Sequence, residues 1–145
     1  GVDIPTGNFV DVHGNVLGTH KGITHYTIGQ RKGLGLAMGH PVFVVDIIPE
    51  TNEVVIGENA DTFSKELIAD KTNFMSVEHP EDGMQVIGKI RYAHKGVPCR
   101  IYMLDDARVR VVFDEPVRAA TKGQAVVFYE NDYIVGGGTI KEIIR

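Results

Sequence analysis

Pro41-Val42-Phe43-Val44-Val45-Asp46-Ile47-Ile48, then Pro49-Glu50-Thr51-Asn52, then Glu53-Val54-Val55-Ile56-Gly57 is the stretch that decides the fold class. Two short runs rich in Val and Ile enclose a segment in which proline and asparagine favour reversal, so the stretch reads as two antiparallel strands and a turn. The same grammar extends to either side. Towards the N-terminus, Asn8-Phe9-Val10-Asp11-Val12 and Asn15-Val16-Leu17-Gly18 flank His13-Gly14, the spacing of a hairpin. Towards the C-terminus, Gln85 to Tyr92 mixes β-branched and charged residues, as a strand with one wet face does. In that strand Lys89 and Arg91, two residues apart, share a face. Cys99 to Leu104 and Arg108 to Phe113 then form a pair around Asp105-Asp106, and Ala125 to Tyr129 with Tyr133 to Gly136 form another around Glu130-Asn131-Asp132. Only Thr62 to Ala69 reads as a short turn of helix, with Phe63, Leu67 and Ile68 sparsely spaced. The chain is therefore mainly β. Repeated short strands with close turns suit a barrel or a sandwich, and closure removes exposed edges. The strand pattern lapses around Asn59 to Lys71, which divides the chain into 1–62 and 63–145.

With 145 residues, 43% hydrophobic and 23% charged, the chain can bury one ordinary core or two small ones. It has no apolar run of membrane-spanning length and no signal-peptide layout at its start, which points to a soluble, cytoplasmic protein without a membrane partner. The first residue is Gly1 rather than methionine, which reads as a processed chain or, the favoured expectation, a piece cut from a longer protein. The single cysteine, Cys99, cannot form an internal disulfide or a multi-cysteine zinc site. The net charge of -4 argues against a nucleic-acid partner until its distribution is read. Val12 to Val45 contains no acid and carries +3 from Lys21, Arg31 and Lys32, beside His13, His20, His25 and His40. Gly83 to Leu104 is also free of acids and carries +4 from Lys89, Arg91, Lys95 and Arg100, leaving about -11 for the remainder. Two basic islands in an acidic chain predict a directed anion-binding surface.

The first island contains Tyr26-Thr27-Ile28-Gly29-Gln30-Arg31-Lys32-Gly33-Leu34-Gly35. Glycines permit unusual backbone geometry and close approach, while Arg31 and Lys32 supply charge for phosphate or carboxylate. The loop reads either as an anion grip or as a turn with solvated cations. Elsewhere catalytic chemistry is sparse. The histidines lack a metal-site spacing, so no metal is expected. Cys99 lies in an apolar strand, where a thiol packs. Gly136-Gly137-Gly138 lacks the lysine of a phosphate loop and reads as a bulge at a strand end. Asp105-Asp106 suits a turn better than a carboxylate pair.

The run from Asn8 to Leu34, with His13-Gly14-Asn15-Val16-Leu17-Gly18-Thr19-His20-Lys21-Gly22 leading to the glycine-rich loop, closely resembles the tRNA-specific 2-thiouridylases, the MnmA/TrmU family. Older naming calls some members methyltransferases. Lys89-Ile90-Arg91-Tyr92 resembles a barrel strand of that family, and Lys122 to Tyr129 with Val135 to Ile140 resembles its C-terminal hairpin. The resemblance implies a small central β module followed by a closed antiparallel barrel of about six strands. It implies a full-length sulfurtransferase that activates uridine 34 of tRNA with ATP and replaces its 2-oxygen with sulfur from a persulfide donor protein. The ATP loop and both working cysteines belong to an N-terminal adenylating domain outside this chain, so this piece alone is expected to hold no cofactor and to be inactive. Cys99 matches neither cysteine. The resemblance assigns tRNA contacts to Arg91, Tyr92 and Gln124, and places Gln30, Arg31, Lys32 and Lys89 against the tRNA anticodon arm or the neighbouring domain. The competing expectation is a translation-factor-like barrel that binds RNA or protein without modification chemistry. A self-contained hydrolase lacks a paired nucleophile and base.

Overall fold

Long-range pairing turns these local patterns into ten strands in a computed structural model that describes residues 5–75, 80–90 and 95–145. The chain separates into a first unit ending at Phe63 and a second beginning at Ser64. In the first unit, β1 (Gly7–Asp11), β2 (Val16–His20), β3 (Phe43–Ile48) and β4 (Glu53–Gly57) form one sheet in the order β2-β1-β4-β3. The β1–β2 turn is held by Asp11, whose Oδ1 accepts the His13 and Asn15 N–H groups at 2.9 Å each. Gly14 adopts φ 88° there, a left-handed conformation that glycine reaches without a steric penalty. The β3–β4 turn closes with the Asn52 N–H on the Pro49 carbonyl at 3.2 Å. Both hairpins are antiparallel, whereas β1 and β4 run parallel, with Phe9 opposite Val54 and Val10 opposite Val55.

Parallel neighbours need a long connection, and here β2, β3 and the loop between them supply it. That loop is anchored at its beginning by the Phe9, His20 and Tyr26 rings, with centroids 5.2–5.8 Å apart and edge-to-face geometry. His20 is buried and satisfied at both nitrogens: Nδ1 accepts the Gly22 N–H at 2.9 Å, which leaves Nε2 to donate to the Asn52 carbonyl at 2.7 Å.

The second unit contains β5 (Phe63–Phe74), β6 (Met84–Lys89), β7 (Val97–Met103), β8 (Val109–Arg118), β9 (Ala125–Glu130) and β10 (Tyr133–Ile144). They close into an antiparallel barrel in the order β10-β5-β8-β7-β6-β9. The inward residues, among them Leu67, Ile101, Val111, Phe113, Phe128 and Ile140, fill the interior as one apolar cluster. This is the small module and six-stranded barrel implied by the resemblance.

Two expectations are corrected. Thr62 to Ala69 is not a turn of helix: Asn59–Thr62 forms a single 3₁₀ turn, and β5 starts at Phe63 and continues through Ala69 to Phe74. Ile144, Ile143 and Glu142 of β10 pair with Glu66, Leu67 and Ile68, and this distant partner overrides the local helix preference of Lys65-Glu66-Leu67. Gly136-Gly137-Gly138 lies within β10 rather than at a strand end. A Cβ on Gly136 would stand 2.5 Å from Phe74 Cδ1 and 2.6 Å from the Asn73 carbonyl oxygen, and one on Gly137 would stand 2.7 Å from the Val126 carbonyl oxygen. Register shifts on both sides of this triplet mark the bulging that was expected, and the glycines let β5 and β9 approach β10 closely.

Candidate nucleic-acid interface

The glycine-rich loop is built as a shelf. Tyr26, Ile28 and Leu34 are buried, whereas Thr27, Arg31, Lys32 and Gly33 are exposed. Its path is fixed by the Gly29 N–H on the Val44 carbonyl at 2.7 Å and the Val44 N–H on the Gln30 carbonyl at 2.9 Å, which lay the loop along the start of β3. The Tyr26 hydroxyl accepts the Lys21 N–H at 3.0 Å. Gln30 turns its amide inward: Oε1 accepts the Thr27 N–H at 3.0 Å and Nε2 donates to the Lys32 carbonyl at 2.9 Å. Gln30 therefore staples the loop that presents Arg31 and Lys32. Arg31 lines a cleft of about 380 Å³ together with Gly33, Leu34, Leu36 and His40. His40 belonged to the basic island, but nothing in the one-dimensional sequence joined it to Arg31 across nine positions.

In the barrel, the two ends carry different charge. Where β6 stops and β9 begins, the described connections are residues 90, 95–96 and 119–124, which hold Lys95 and Lys122 and no acid. Lys89 closes β6, opposite Val127, and Lys141 lies in β10 just past the last β9–β10 pair, Thr139 with Ala125. Asp114, Glu115 and Glu142 lie near this end along the strands, as do Glu66, opposite Ile144 at the close of β10 and ion-paired with Arg110, and Asp70, opposite Thr139. The opposite connections hold Glu81, Asp82, Asp105, Asp106 and Asp132, with Glu130 at the tip of β9, and their cation Arg108 is paired with Asp105 at 2.7 Å. Among the described residues, none of Lys89, Lys95, Lys122 and Lys141 is held in an ion pair.

Gln124 joins the cation-rich end. Its main chain is fixed by the Ile140 N–H on its carbonyl at 2.8 Å and by its own N–H on the Thr121 carbonyl at 3.2 Å. Its side-chain Oε1 is buried without a hydrogen-bond partner among the described residues. A buried acceptor of this kind is costly unless a ligand or water completes it. Lys89 and Gln124 are thus brought to one barrel end, while Gln30, Arg31 and Lys32 belong to the first unit. Arg91 and Tyr92 lie outside the described residues. Arg100, counted in the same basic island, is turned to another purpose: its guanidinium donates to the Gly83 carbonyl at 2.9 Å, at the acid-rich end.

The remaining candidate chemistry is structural. Cys99 is fully buried, and burial, reinforced by the Asp114 charge, pushes its thiol up to about 12. A thiol so poorly ionised is a packing residue. Asp105 shapes the β7–β8 turn, its Oδ1 accepting the Ala107 and Arg108 N–H groups at 2.9 and 2.8 Å. The Ala107 bond, then the Arg108 side chain, hold its carboxyl below the ordinary 3.8.

Comparison with known proteins bears on both units. Residues 2–58 match the family described as tRNA methyl transferase PRC-barrel domain, and residues 64–140 match the aminomethyltransferase beta-barrel domain. The chain is 61% identical over 140 residues to the tRNA-specific 2-thiouridylase MnmA of Lachnoclostridium phytofermentans, covering 97% of this chain and 39% of that protein. It is 54% identical over 139 residues to the protein of that name from Acetivibrio thermocellus, covering 96% and 39%. With the Clostridioides difficile protein of that name the identity is 52% over 139 residues, covering 96% and 38%. The chain spans about two fifths of the length of these relatives.

Proposed function

Because the chain belongs to the tRNA-specific 2-thiouridylase family, we propose that it is the tRNA-holding region of an enzyme that thiolates the wobble uridine at position 34. In this reading a preceding adenylating domain binds ATP and carries the working cysteines, a persulfide protein supplies sulfur, and the reaction takes place in the cytoplasm. The two β units position the RNA so that the uridine, turned out of its stack, reaches that domain.

The observation that carries the reading is the polarity of the barrel. A scaffold with net charge -4 gathers Lys89, Lys95, Lys122 and Lys141 at one end, beside the unsatisfied Gln124 carbonyl. Lysines there neutralise phosphates and release counterions, while the Gln124 amide suits a base edge or a ribose hydroxyl. Arg91 and Tyr92 complete the proposed contact set, Arg91 as a phosphate fork and Tyr92 by stacking or donating from its hydroxyl.

Binding of the 145-residue chain to unmodified tRNA, followed by fluorescence anisotropy, tests this. Affinity is expected to fall about tenfold to a hundredfold between about 50 and about 200 mM salt. Arg91→Ala is expected to weaken binding across tRNA species. Salt-independent binding, or no binding at the lowest salt, would remove the RNA-holding role.

A further inference from the structure

The cleft beside the glycine-rich loop in the first unit is a separate feature. It encloses about 380 Å³, and Arg31 and His40 are its polar side chains. Leu34, Leu36, Pro41 and Val42 supply an apolar wall, and no carboxylate lines it. From Gly35 to Val42, among the described residues, no backbone N–H donates to a protein acceptor. Most of this segment is exposed, so these N–H groups bond water and can exchange that water for a ligand placed in the cleft. Gly33, Gly35 and Gly39 take φ of 77°, 68° and 76°, the left-handed conformation from which successive N–H groups form anion-binding concavities.

These features converge on one ligand chemistry. We propose that the cleft is a phosphate-binding site that takes the phosphate of a nucleotide, either free or within an RNA backbone. Arg31 supplies the charge and two parallel donors, and His40 donates one ring N–H, which a neutral imidazole already has. The N–H groups of Gly35, Leu36 and Ala37 complete the oxygen shell, while Leu36 and Pro41 offer contact area to a sugar or base. His40 and Val42 also border a recess of about 200 Å³ containing Asp11, Glu58 and Asp61, which disfavours an anion on that side and directs the phosphate towards Arg31. The site stands whether or not the barrel end binds RNA, because it uses none of the same residues.

Amide NMR of the 145-residue chain, titrated in turn with inorganic phosphate, uridine 5′-monophosphate and the dinucleotide UpU, tests the site. Saturable shifts are expected at the Gly35, Leu36 and Ala37 amides, with dissociation constants of about 1–10 mM. Arg31→Ala and His40→Ala are each expected to weaken binding about fivefold or more, and Arg31→Lys to retain part of it. Both side chains are exposed, so the rest of each spectrum should report an intact fold. Saturation by UpU identifies a backbone phosphodiester as the source; saturation by the monoesters alone identifies a free phosphate or nucleotide. Absence of saturable shifts with all three ligands, or shifts undiminished in Arg31→Ala, would overturn the proposal.

Discussion

The two ends of the barrel share one core and one set of strands, yet the described connections at one end hold lysines and those at the other hold aspartates and glutamates. On the proposed function, the difference separates the end that holds RNA from the end whose charges serve the fold. Inward positions such as Phe113 and Phe128 are fixed by packing, and a change in any of them is felt at both ends. The connections have no such constraint, so each end can carry its own charge. At the acid-rich end part of that charge is used internally, since Asp105 organises its turn and Arg108 answers it. At the other end, among the described residues, Lys89, Lys95, Lys122 and Lys141 are held in no ion pair and the Gln124 carbonyl has no hydrogen-bond partner, and on the proposed function these groups await the RNA.

The strongest way to break the comparison is to break what the ends share. Phe128 is fully buried and stacked on Phe74 with ring centroids 6.0 Å apart. Phe128→Ala is expected to cost about 3–5 kcal/mol of unfolding free energy in denaturant titration. A loss below about 1 kcal/mol would mean that the core does not bind the two ends together.

The next largest effect separates the ends. Lys89→Glu combined with Lys122→Glu is expected to weaken tRNA binding about tenfold or more at low salt and to flatten its salt dependence. Asp106→Asn combined with Asp132→Asn, at the opposite end, should leave affinity within about twofold. If only net charge mattered, the aspartate pair would instead strengthen binding, by about half as much on a logarithmic scale as the lysine pair weakens it. Gln124→Met probes the same end more finely. It removes a buried acceptor that lacks a partner, so thermal stability is expected to hold or rise by up to about 1 kcal/mol. RNA affinity is expected to fall about threefold or more, since the amide no longer reaches the ligand. A variant that loses stability and keeps its affinity would make Gln124 a structural residue.

Much of this architecture is legible in the sequence because hairpins are local. Val44, Val54 and Ile56 declare buried strand positions, and Asn52 or Gly14 declares the turn beside them. What escapes local reading depends on distant partners. The parallel pairing of β1 with β4 leaves no periodic mark in either strand, and the charged start of β5 becomes a strand only because β10 lies against it. The same holds for the site. The basic islands and the resemblance lead to Lys89 and Gln124, yet composition gives no hint that Arg100 turns to Gly83 or that His40 shares a cleft with Arg31. A side chain's role follows from where its strand or loop points it, and closure of the sheet sets that direction.

The smallest expected effect concerns what acidity does at the acid-rich end. Asp105 keeps its charge because two main-chain N–H groups and the Arg108 side chain bond the ionised form, so its folded pKa lies below the ordinary 3.8. A carboxyl depressed in this way contributes stability that is fully present above the unfolded value and is lost as pH falls through the folded value. Thermal melts between about pH 5 and about pH 2.5 should therefore show the wild-type chain losing stability more steeply than Asp105→Asn. Parallel curves for wild type and Asp105→Asn would mean that the ionised carboxylate does not hold the turn. The carboxylates at this end would then be as free as the lysines opposite, and the distinction between charge used internally and charge kept for a ligand would fall.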